Sequence, residues 1–146
     1  MFRLTELKAG DFIDLLEWSK LLQEQSDESE TIIKSFYLLL INRLPTTEKE
    51  CFEVVDEFGK QIEEIKESFE FIYNPPQLPS TTEQKEKTIG DEYREEFFQM
   101  YQYPELVYKV ATVFGYKPSE VLELKTQDFL FWANYLVHKK FVENIK

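Results

Sequence analysis

Apolar positions along this chain recur mostly at intervals of three and four, the spacing that lines one face of an α-helix. After Gly10, the pattern Phe12, Leu15, Leu16, Ser19, Leu22 sets the face of a first helix, flanked by Ile13 and Trp18. Asp11, Asp14 and Glu17 fall in its early turns, where the helix dipole favours acids. Ser26-Asp27-Glu28-Ser29 is a polar break, and Ser29 is the expected N-cap of a second helix from Glu30 to Leu44, stopped by Pro45. Its FYLLLI run is apolar nearly all round, which suits a central bundle helix. Thr47 and Glu50 then have the spacing of a capping box. Beyond them Cys51, Val55, Phe58, Ile62, Ile65, Phe69 and Ile72 alternate steps of four and three, a heptad seam on a single long helix. Gly59 inside that helix predicts a close crossing by a neighbour.

Asn74-Pro75-Pro76 ends this helix, and residues 74–90 read as a proline-led linker. Asp91 is the expected cap of a helix to Gln102, with Tyr93, Phe97, Met100 and Tyr101 on one side. Pro104 suits the first turn of another, carrying Leu106, Val107, Val110, Ala111, Val113 and Phe114. Gly115 suits a left-handed C-terminal position. A short helix opens at Pro118, and Thr126 is expected to cap a last helix with Phe129, Leu130, Trp132, Ala133, Leu136, Val137 and Phe141 at core spacing. The pattern predicts an all-α protein in three parts: an acidic helical bundle over 1–73, a linker over 74–90 and a helix-turn-helix-like module over 91–146.

Charge sharpens this division. The net charge is −11, but residues 1–103 hold 11 Lys and Arg against 23 Asp and Glu, a net of −12, while residues 104–146 are at +1. The acidic part repels phosphates and anionic lipid and favours basic protein partners. A single cysteine, Cys51, excludes an internal disulfide and a cysteine-based zinc site. The N-terminal MFRLTELKAGDF lacks the apolar core of a signal peptide, and the apolar run at residues 36–41 is too short to span a bilayer. These features predict a soluble, cytoplasmic protein.

Chemistry is sparse. Ala111, Gly115 and Val121 have the relative spacing of a DNA-binding helix-turn-helix, but the second helix carries Ser119, Glu120, Glu123 and Leu124 where base-reading residues would stand. Two carboxylates facing phosphate argue for a structural unit. The lone His138 makes no histidine-based metal site, and the Glu63-Glu64-Glu67 and Glu92-Glu95-Glu96 sets have the pattern of solvated helix faces. No phosphate-binding glycine loop or serine elbow is present. The expectation is a non-enzyme without cofactor or metal. The aromatics are the candidate binding residues: Phe129, Phe131, Trp132 and Tyr135 surround more than one face of the last helix, and Trp18 adds a fifth ring.

Phe114-Gly115-Tyr116, then Pro118 through Leu124, then Thr126, Asp128-Phe129 and an aromatic-rich helix together resemble the small tail assembly chaperones of tailed phages. The likeness covers the C-terminal part of the chain, while LTELKAGDFIDLLE near the start is similar in flavour to small tail and baseplate-assembly proteins. The resemblance implies protein partners, namely a tape-measure protein and tail-tube subunits, bound during assembly, with no nucleic acid or membrane. Two alternatives are a stable structural or adaptor subunit of a phage tail and an acidic nucleic-acid mimic that inhibits a basic protein. A homo-oligomer built on the Cys51–Ile72 seam is a further expectation.

Overall fold

The computed structural model describes residues 2–24, 29–75 and 88–145, with the side chain of Phe98 excepted. The polar break at 26–28 and most of the expected linker lie outside the described residues. All regular elements among the described residues are helical, so the fold is all-α. A 3-10 turn at Leu4–Glu6 is followed by α1 (Ala9–Gln23), α2 (Ser29–Ile41), α3 (Glu48–Ser68), α4 (Glu70–Tyr73), α5 (Ile89–Phe114), α6 (Pro118–Leu122) and α7 (Thr126–Glu143).

The first three long helices pack in sequence through Phe12 and Leu15 of α1, Phe36, Tyr37 and Leu40 of α2, and Val54, Phe58 and Ile65 of α3, all buried. The rings of Phe36 and Phe58 meet edge to face with centroids 4.7 Å apart. Ser29 is the first residue of α2 rather than its cap, and α2 stops before Pro45, because Asn42 adopts a left-handed φ of 66°. Thr47 caps α3 as expected, its side chain accepting from the Glu50 amide. The reciprocal arm is displaced by one residue: Glu50 accepts from the amide and hydroxyl of Thr46 instead of the amide of Thr47.

The heptad seam does not run as one helix. At Phe69 the backbone leaves the helical region (φ −124°, ψ 60°), and Asn134 of α7 accepts from the Phe71 amide at 3.0 Å, satisfying a donor at the start of α4. The turn directs Ile72 into the core and lays α4 against α7. Along α3, Val54 is buried and Val55 is exposed, while Phe58 and Ile65 are covered within the chain. Gly59 has open space beside it; the close approach occurs at Gly10, where an added Cβ would stand 3.4 Å from the Leu122 Cβ and carbonyl oxygen.

Two expected helices around Pro104 are one kinked helix, α5. Pro104 offers no N–H to the carbonyl one turn back, and the backbone departs from helical geometry at Tyr101. The cap is Thr88, with Asp91 completing a capping box from the third helical position. Gly115 ends the helix at φ 70°, with its own amide and that of Tyr116 donating to the Ala111 carbonyl. Ala111 and Val121 are buried on either side of this turn, where α5 packs against α6.

Thr126, expected as a cap, is wholly buried and fastens the N-terminal segment: its amide and its hydroxyl both donate to the Leu7 carbonyl, at 2.7 and 2.8 Å. The Ala9 amide donates to the Leu124 carbonyl at 2.7 Å, making a single antiparallel bridge between Lys8 and Lys125. Gln61 clasps the same segment, accepting from the Leu4 amide and donating to the Phe2 carbonyl. One cluster of buried residues therefore draws on both sides of residues 76–87, including Leu4, Phe12 and Leu15 with Val110, Val121, Phe129 and Leu130.

Candidate protein-binding face

The last helix sorts its aromatics by a period of 3.6 residues. Phe129, Leu130 and Ala133 face inward and are buried, which leaves Phe131, Trp132 and Tyr135 on the outer side. Phe129 is fully buried, so its place among the binding residues is corrected: it anchors α7 in the core. Trp18 is half-buried and packs against the core from α1.

The structure adds two rings to the remaining three. Phe114 sits at the C-terminus of α5 and Tyr116 just past the glycine turn, both exposed. Phe114 meets Trp132 edge to face at 4.8 Å and stacks on Tyr116 at 6.1 Å. Trp132 in turn contacts Phe131 at 5.1 Å and Tyr135 at 5.8 Å, both nearly perpendicular. Trp132 is the hub, and each of the five side chains keeps between 36% and 55% of its surface in water. With about 200 Å² available per ring, they present roughly 450 Å² of exposed aromatic surface, within the range of the largest patch on a soluble monomer, which is often functional.

The periodicity placed Phe114 on the core side of its helix, together with Val113, and both are exposed. The helix ends there, and the left-handed Gly115 turns the chain so that Tyr116 stacks on Phe114, which meets Trp132 of α7. The sequence signal was the pairing of two rings across a helix-ending glycine, Phe114-Gly115-Tyr116.

The remaining candidate groups have structural partners or stand in solvent. His138 lies flat on the Phe71 ring, with centroids 3.9 Å apart and planes within 10°. Glu63, Glu64 and Glu67 are exposed, as are Glu92, Glu95 and Glu96. Among the described residues, no group of three His, Cys, Asp or Glu side chains is arranged to hold a metal ion. The second helix of the helix-turn-helix has only five residues, and its Ser119 and Glu120 are exposed, as is Glu123 just after it. Among the described residues, the most perturbed carboxylate is Glu50. Hydrogen bonds from the Thr46 amide, Arg43, the Thr46 hydroxyl and Tyr37 hold it down at about 2. This network joins α2 to α3, with the Arg43 guanidinium 5.3 Å from the centre of the Tyr37 ring. Tyr73 and Tyr103 share a hydrogen bond of 2.8 Å between α4 and α5, and burial raises both phenols.

Comparison with protein-family models, with curated proteins and with solved structures finds no match. Among the described residues, no helix is long and apolar enough to cross a membrane.

Proposed function

We propose that this chain is a non-enzymatic protein-binding module whose Phe114, Tyr116, Phe131, Trp132 and Tyr135 face holds an apolar segment of a partner. The carrying observation is the contiguity of those rings around Trp132: large, stiff aromatic side chains give much contact area for little lost rotamer entropy, and such clusters dominate binding energy at interfaces. The surrounding part of the chain is nearly neutral, which suits a protein surface better than a phosphate backbone.

The resemblance of this stretch to phage tail assembly chaperones supplies the class of partner. The face would cover apolar helices of a tape-measure protein and recruit tail-tube subunits, while the acidic remainder keeps the complex soluble. Such a role belongs in the cytoplasm of an infected cell. Co-expression with tape-measure and tail-tube proteins tests this reading. The expected result is co-purification and a gain in partner solubility, both reduced in Trp132→Ser. Absence of both effects with the unmodified chain overturns it.

A further inference from the structure

The first half of α5 presents a second surface on a different part of the fold. Among its described side chains none is buried before Leu106, although α5 begins at Ile89. Ile89, Tyr93, Phe97, Met100 and Tyr101 recur at three- and four-residue spacing and form one stripe about 18 Å long. Ile89, Tyr93 and Met100 are 72%, 68% and 68% exposed. A helical stretch this short is marginal in water without a packed face, so its amphipathic pattern is that of a helix completed by something laid along it.

Charge identifies the occupant. Residues 88–103 carry four acids against the single Arg94, a net of −3, and Glu92 and Glu96 run one turn apart along an edge of the stripe. A second copy would bring −3 against −3 within chains of net −11. We propose that the stripe from Ile89 to Tyr101 docks a basic amphipathic helix of another protein, whose apolar side chains pack on Tyr93 and Met100 and whose Lys and Arg residues face the edge formed by Glu92 and Glu96. The surface is at the opposite end of α5 from Phe114, and the proposal stands independently of the Trp132 face.

A synthetic peptide of leucines at helical spacing with lysines on its polar face is the probe, with a leucine–glutamate peptide of the same pattern as control. At low salt the lysine peptide is expected to bind the full chain and protect the amides of 89–101 from hydrogen exchange. The charge-preserving double variant Tyr93→Ser/Met100→Ser should weaken binding at least about tenfold, and Trp132→Ser should leave it unchanged. The glutamate peptide should not bind. Equal affinity in the double variant, or loss only in Trp132→Ser, overturns the proposal. So does sedimentation of the unmodified chain as a dimer that the double variant dissolves, since the occupant would then be a second copy.

Discussion

Thr126 gives both of its donors to a single acceptor, the Leu7 carbonyl, across 119 residues of chain. The bond from the side chain has a measurable value. Thr126→Val keeps the volume of a wholly buried residue and removes only the hydroxyl, while the backbone amide still satisfies the Leu7 carbonyl. The expected loss is about 1 kcal/mol in urea denaturation. Equal stability of Thr126→Val and the unmodified chain would show that the hydroxyl contributes nothing to fastening the N-terminal segment.

Phe129 and Phe131 are two residues apart and are expected to separate stability from binding. Phe129→Ala opens a cavity in the core and should cost about 3–5 kcal/mol. Phe131→Ala removes a half-exposed ring and should change stability by no more than about 0.5 kcal/mol while weakening partner capture. Denaturation midpoints and co-purification yields for the two variants check this directly.

Gly59 and Gly115 should respond to alanine in opposite directions. Gly59 lies inside α3 with open space around it, so Gly59→Ala should stabilise by about 0.5–1 kcal/mol. Gly115 has φ 70°, where a Cβ is strained, so Gly115→Ala should destabilise by about 1–2 kcal/mol and loosen the Phe114–Tyr116 stack. Thermal melts report the first effect, and near-ultraviolet circular dichroism reports the second.

Glu50 predicts a defined pH response. Its carboxyl is lowered in the folded chain from 4.5 to about 2, so the stability it contributes is present above about pH 4.5 and lost as pH falls towards 2. Glu50→Gln should melt lower than the unmodified chain at pH 7, and the two melting temperatures should converge between pH 4.5 and 2. A difference that stays constant through this window would show that the network does not depend on the charge of Glu50.

Local chemistry made much of the fold legible. The stop ahead of Pro75, the Thr47 cap, the left-handed Gly115 and helical periodicity each act within a turn or two of chain, so the all-α class and several helix ends follow from neighbouring residues. The misplaced boundaries have local causes too, but ones with weak signals: Asn42 adopts the left-handed conformation ahead of Pro45, and Thr88 caps α5 instead of Asp91. Three rings of the binding face, Phe131, Trp132 and Tyr135, were visible as an excess of large side chains on one helix.

The sequence by itself therefore determined that this chain folds as an acidic assembly of helices with more aromatic surface than one helix face can bury. Tertiary structure alone decided which rings stay outside. Phe129 turns inward because α5 and the N-terminal segment pack on that side of α7, and Trp132 gains Phe114 because Gly115 folds α5 back beside it. The break at Phe69 likewise depends on Asn134, 63 residues beyond the Phe71 amide it accepts from. Periodicity describes how positions are arranged around one helix, whereas burial depends on what packs against each face.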